Sequence, residues 1–244
     1  MDFDFSEEEQ AISDLTRQIL EDKVTHERLR EMERNNIFFD RALWETLAES
    51  GIVGAAISEE HDGAGLGFLS VAAVLELVGE FAAPVPALET IVMGALPIQE
   101  FGSDSQRSEL IPRVSSGDLV LTAGLVSGDT VLVVEGKISG KIDFVPYGME
   151  AEIILIPTSD GVYLVDASDA GVERSAQETT TGQPQASITL NMVTGDRLGS
   201  ASTMEVVNWI RLRVDSGICS ILSGVCQASL DLAAEYVKIR HQFD

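Results

Sequence analysis

Residues 202–244 read STMEVVNWIRLRVDSGICSILSGVCQASLDLAAEYVKIRHQFD, roughly forty positions with no proline and with helical spacing throughout. A helix of that length is far beyond the usual three turns and would span about 60 Å. Its apolar residues Val206, Val207, Ile210, Val214, Ile218, Ile221, Leu222, Val225, Leu232 and Val237 cover more than one face, most of all around Gly217 to Ala228. A helix that is apolar on several sides needs neighbours on several sides. The residues ahead of it can cover only part of that surface, so the stretch predicts further helices, a partner subunit, or both. Cys219 and Cys226 are the two cysteines, and seven-residue spacing along a helix puts them about 10 Å apart, too far for a disulfide.

Upstream of this helix the period changes. Between about 118 and 198 lie short β-branched runs, Leu119 to Val126, Thr130 to Val134, Ala151 to Ile156, Val162 to Val165 and Ser187 to Leu190, separated by Gly, Asp and Ser clusters. Gly195-Asp196 reads as a turn, and the whole as a compact antiparallel β domain. Further upstream the chain is helical. Ser6-Glu7-Glu8-Glu9 is a capping-box pattern ahead of Ile12, Leu15 and Ile19, so a helix starts at residue 6 or 7. Asp40 is placed to cap a helix containing Leu43, Trp44 and Leu47, which Gly51 ends. Helical pattern recurs at about 68–82, 87–101 and 104–115, with Pro84, Pro86, Pro97 and Pro112 at connections or first turns.

The chain is 45% hydrophobic, enough for a sizeable core, and carries 16 basic against 40 acidic residues, a formal charge of -24. Scattered acidity of this kind keeps a surface soluble and opposes nucleic acid and anionic membranes as partners. An anionic cofactor must therefore find a local Arg. The N-terminus, Met1-Asp2-Phe3-Asp4-Phe5, lacks a basic region and an apolar core, and no run of about 18 uncharged apolar residues appears. With two unpaired cysteines, this predicts a cytoplasmic protein.

The triple glycine of His61-Asp62-Gly63-Ala64-Gly65-Leu66-Gly67 lies between helices, whereas a dinucleotide loop follows a strand, so it predicts a close-packed interhelical loop. His61 has no second His or Cys at ligand spacing, which predicts no metal site. No nucleophile elbow is present, and no carboxylate is marked as a base by pattern.

Several stretches, in order, resemble the acyl-CoA dehydrogenase family. Met1 to Gln10 resembles the family's opening, and Leu43-Trp44-Glu45-Thr46-Leu47-Ala48-Glu49-Ser50-Gly51 its helix-then-glycine stretch. Ser58-Glu59-Glu60-His61-Asp62-Gly63-Ala64-Gly65-Leu66-Gly67 is similar to the Pro-Glu-Glu-x-Gly-Gly-x-Gly loop, with Asp62 in place of the first paired glycine. Ser139-Gly140-Lys141, Phe144-Val145 and Ala151-Glu152 resemble the middle-domain pattern. Tyr236, Arg240, Gln242 and Phe243 match the Tyr-x-x-x-Arg-x-Gln-Phe-Gly signature, with Asp244 at its closing glycine.

The resemblance implies an α+β fold: an N-terminal all-helical domain (1–116), an antiparallel β-barrel-like middle domain (117–200), and the first helix of a C-terminal four-helix bundle (201–244). It implies an oxidoreductase of lipid metabolism that performs FAD-dependent α,β-dehydrogenation of an acyl-CoA thioester, fatty or steroid side-chain, with electrons passed to electron-transfer flavoprotein. Arg240 would contact the FAD diphosphate with Gln242 and Phe243 beside it. From the residues alone, Arg240 is a routine solvated cation near a helix C-terminus, where the dipole favours it. Thr122 would lie in the flavin-binding loop and Phe144 in place of the flavin-side Trp. Leu121 to Asp129 keeps only Thr122 and Ser127-Gly128-Asp129 of the family's Thr-Glu-Pro-x-x-Gly-Ser-Asp stretch. The family's catalytic Glu lies in later helices, beyond residue 244, so the base is unassigned. These features fit a subunit of a homo- or hetero-oligomer with another family member. The alternatives are a noncatalytic structural partner, or a same-fold acyl-CoA oxidase or flavin monooxygenase.

Overall fold

The computed structural model describes residues 5–125 and 131–240. Helix α1 (Glu7–Lys23) starts on the expected capping box, in which Ser6 accepts from the Glu9 amide and Glu9 accepts from that of Ser6. Helix α2 (His26–Arg34) is an addition to the sequence reading, since it buries only Met32 and carries no apolar stripe to announce it. Helix α3 (Arg41–Glu49) starts on Asp40, whose carboxylate accepts from the Leu43 amide and pairs with Arg28. The glycine loop packs tightly between helices: a Cβ on Gly63 would overlap the Ile57 backbone. Helix α4 (Phe68–Glu80) follows.

The single helix expected over about 87–101 is two segments: a π-helical stretch, Leu88–Ala95, running into α5 (Leu96–Phe101) with Pro97 in its first turn. Pro97 has no N–H to return to the carbonyl one turn back, and widening the preceding turns re-pairs the backbone around it. Helix α6 (Asp104–Ser115) is capped reciprocally by Ser103 and Gln106.

Among the described residues eight strands follow: β1 (Leu121–Ala123), β2 (Leu132–Val134), β3 (Lys137–Pro146), β4 (Ile153–Pro157), β5 (Val162–Asp166), β6 (Val172–Gln177), β7 (Gln185–Val193) and β8 (Gly195–Arg197). They form two four-stranded sheets, ordered β1-β4-β5-β8 and β2-β3-β7-β6. Two details depart from the sequence reading. The pairing is antiparallel except between β1 and β4, which run parallel. Gly195 and Asp196 form no turn but pair with Val165 and Leu164 as strand β8.

The parallel pair makes sense from burial. Ile154 and Ile156 point into a core shared with Ile138, Ile142 and Ile188 of the second sheet, while Leu155 and Leu164 join the helical core around Trp44, Leu75 and Ile98. The first sheet is thus covered on both faces, the setting in which parallel strands occur and in which a run such as Ile153-Ile154-Leu155-Ile156 replaces polar alternation.

The last element, α7 (Thr203–Ile239), is the long helix expected, capped by Ser202. Val206, Val207, Ile210, Gly217 and Gly224 are buried against the body. Helices α4 and α7 meet backbone to backbone. A Cβ on Gly79 would overlap the Ile221 carbonyl, and one on Gly224 the Glu76 carbonyl. Beyond Gly224 the helix runs bare, with Leu230, Leu232, Val237 and Ile239 each more than 60% exposed. Among the described residues, α7 is the one helix long and apolar enough to cross a membrane by length and composition. The same properties belong to a bundle helix whose outer faces await neighbours.

Candidate active site

A cavity of about 370 Å³ opens where α2, α4, the π-helical stretch, the loop at residues 181–184 and the middle of α7 converge. Its walls are apolar, from Leu29, Met32, Val78, Leu88, Ile221 and Val225. Five polar side chains share the lining: Glu33 and Thr181, which are exposed, and the connected trio Glu89, Tyr147 and Gln183. An apolar cleft of a few hundred Å³ with a few convergent polar groups is the usual form of a small-molecule site.

Backbone ties hold these three groups together. Thr90, next to Glu89, donates its hydroxyl to the Leu121 carbonyl at 3.1 Å and accepts from the Leu121 amide at 3.3 Å, which pins the π-helical stretch to β1. Thr122 then donates its hydroxyl to the Pro146 carbonyl at 2.7 Å, fixing the end of β3 and, with it, Tyr147. The Tyr147 amide donates to the Pro184 carbonyl at 2.9 Å, drawing in the loop that carries Gln183. Gln183 Nε2 completes the circuit by donating to Glu89 Oε1 at 2.7 Å.

Glu89 is 2% exposed. Burial pushes its pKa up to about 7, only partly offset by the Gln183 hydrogen bond, so near neutrality it is substantially protonated. Tyr147 is held well above the ordinary phenol value, first by burial and then by the Glu89 charge. No pattern in the sequence marks these residues as a group. The signal available was a lone carboxylate inside an apolar run, Ala87-Leu88-Glu89-Thr90-Ile91-Val92.

The residues that the family resemblance implies for FAD lie on three elements, Thr122 on β1, Phe144 on β3 and Arg240 at the end of α7. Thr122 is fully buried, and its hydroxyl is committed to Pro146. Phe144 is 53% exposed at positive φ, on the β-bulge where the β3–β7 register shifts, with its amide donating to Gln177 Oε1. Bulges of this kind commonly re-aim a side chain beside an active site. Arg240 closes α7, donating to the Tyr236 hydroxyl at 2.8 Å. At 1.5 Å per residue it stands about 24 Å along the axis past Gly224, away from the body. Gln242, Phe243 and the Ser127-Gly128-Asp129 echo lie outside the described residues. Among the described residues, the chain thus presents an exposed aromatic side chain on β3 and a cation at the end of α7.

Residues 6–118 match the family described as acyl-CoA dehydrogenase, N-terminal domain. The chain is 32% identical over 255 residues to acyl-CoA dehydrogenase FadE27 of Mycobacterium tuberculosis, covering 100% of this chain and 68% of that one. Among solved structures it resembles the ChsE4-ChsE5 complex from Mycobacterium tuberculosis, with 31% identity and a TM-score of 0.92 over 100% of this chain and 70% of that one. It also resembles a variant of the Tcur3481-Tcur3483 steroid ACAD, with 33% identity and a TM-score of 0.89 over 97% of this chain and 68% of that one. FAD is the cofactor of this family. Fold, ordered motifs and these likenesses agree that the chain belongs to the acyl-CoA dehydrogenase family of flavin-dependent oxidoreductases.

Proposed function

We propose that this chain works as one subunit of a heteromeric acyl-CoA dehydrogenase that oxidises thioesters with bulky, steroid-type acyl groups. The observation that carries the reading is the position of the cavity. Ile221 and Val225 wall it at the level where α7 leaves the body, so whatever packs on the bare half of α7 also closes the acyl site. The likeness to a steroid ACAD and to a two-component complex supports both the substrate class and the assembly.

In that assembly Phe144 would lie against the flavin ring and Arg240 would meet the diphosphate of a cofactor shared with a neighbouring subunit. FAD, when bound, supplies the hydride acceptor for Cα–Cβ oxidation. The chain's own residues orient and desolvate the acyl group through the apolar walls of the cavity. Electron-transfer flavoprotein is the proposed acceptor of the electrons, and lipid metabolism the proposed setting. Free, exposed thiols at Cys219 and Cys226 support a reducing, cytoplasmic location. A second reading, a partner that shapes the site while its companion carries the flavin, is favoured by the internal commitment of the Thr122 hydroxyl.

The test is purification of the chain alone and co-purified with a family subunit, followed by flavin absorbance after gel filtration and dye reduction with a panel of acyl-CoA thioesters. The expected result is turnover and retained FAD in the complex and neither in the lone chain. Turnover by a homogeneous preparation of the lone chain would overturn the subunit reading. Arg240→Ala in the complex should weaken FAD retention at least about tenfold. Unchanged flavin content with that variant would support the second reading.

A further inference from the structure

The polar end of the cavity has no counterpart in the chemistry of a plain hydrocarbon chain. Glu89 is 2% exposed and Tyr147 is 5% exposed, yet both line the space together with Gln183. A structural role for Glu89 would be served as well by Leu, because a buried carboxyl is costly unless its hydrogen-bonding capacity is used. Among the described residues, Gln183 occupies one oxygen of Glu89, and the Tyr147 hydroxyl makes no hydrogen bond. A carboxyl and a phenol, both able to donate, therefore share an apolar chamber. That combination suits an acceptor oxygen brought in by a ligand.

Resting on the reading of this cavity as the acyl site, we infer that Glu89 and Tyr147 select acyl groups carrying a carbonyl or hydroxyl oxygen at the end remote from the thioester. A site built to bond a substrate oxygen rejects the analogue lacking it more strongly than an apolar pocket rejects an extra methylene, because its own buried groups are then left unpaired. Gln183 acts here as a positioning residue, holding the Glu89 carboxyl in one rotamer.

Two CoA thioethers that lack the thioester carbonyl, and so bind without turnover, separate the possibilities: S-(3-cyclohexylpropyl)-CoA and S-[3-(4-oxocyclohexyl)propyl]-CoA. Their binding to the FAD-loaded complex is measured by calorimetry. The wild type should bind the oxo compound about tenfold more tightly. Glu89→Leu should bring the two within about twofold by weakening the oxo compound, and Glu89→Gln, which keeps a donor, should retain part of the preference. Tyr147→Phe should reduce the preference by about threefold or more, and it stands as the test if Glu89→Leu fails to fold. Equal binding of both compounds by the wild type, or a preference that survives both Glu89→Leu and Tyr147→Phe, overturns the inference and leaves the dehydrogenase reading in place. Binding of neither compound removes the acyl-site reading on which the inference rests.

Discussion

The two halves of α7 are one continuous helix of similar composition, yet they live in different surroundings. The first half, Thr203 to Gly224, sends Val206, Val207 and Ile210 into the core, packs Gly217 against the side chains of Leu88 and Leu75, and lets its backbone touch α4 at Gly224. The second half, Val225 to Ile239, has the same kind of apolar residues and leaves them in solvent. Helix propensity cannot distinguish the halves, because most helical stability in proteins comes from packing of a face and not from local preference. The difference marks where this chain stabilises itself and where it depends on others.

The largest effect that could break the comparison lies at the helix crossing. In Gly224→Leu the new side chain meets the Glu76 backbone, which cannot swing away as a flexible side chain would. The expected loss is about 3 kcal/mol or more, read from the urea midpoint. Wild-type stability in that variant would mean that α4 and α7 do not approach as described.

A smaller effect belongs to the cavity at the border between the halves. Because the folded-state pKa of Glu89 is raised, its contribution to stability is fully present below the ordinary carboxyl value of 4.5 and is lost as pH rises through about 7. Glu89→Gln, which cannot ionise, should therefore gain stability relative to wild type between pH 5 and pH 8, by about 1 to 3 kcal/mol. Parallel pH profiles for the two proteins would remove the buried-carboxyl description.

The smallest effect sharpens the contrast. Leu230→Ser combined with Leu232→Ser should change the stability of the lone chain by less than about 0.5 kcal/mol, since both side chains are already in water. The same pair should reduce self-association or complex formation in light scattering, because partner burial of each Leu is worth about 1.5 to 3 kcal/mol. A large loss of stability in the lone chain would show that the far half is not bare.

Much of this architecture was legible in the residues because it depends on local chemistry. Ser6 with Glu9, Asp40 with the Leu43 amide, and the unbroken helix after Ser202 are written in neighbouring positions. Strands β3 and β6 were not, since Lys137 to Pro146 contains Gly140, Lys141 and Asp143, and Val172 to Gln177 is mostly polar on an exposed sheet. Their strand character comes from pairing with β7, a partner distant in sequence. The cavity was illegible for the same reason. Glu89 and Gln183 are 94 positions apart, and only the Thr90, Thr122 and Tyr147 ties bring them to one wall. Arg240 and Phe144, by contrast, were named by family resemblance, and the fold places them on separate parts of the chain.

The doubly covered sheet has a consequence for how the chain is made. Residues 7–115 emerge from the ribosome first, but their core is unfinished until Leu155 and Leu164, and after them Val206, Val207 and Ile210, arrive to close it. β1 must wait for β4 to pair with, and β5 for β8. Synthesis therefore passes through a period in which a nearly complete helical layer holds an open apolar face, and a stall before residue 164 leaves that face available to chaperones or to another nascent copy.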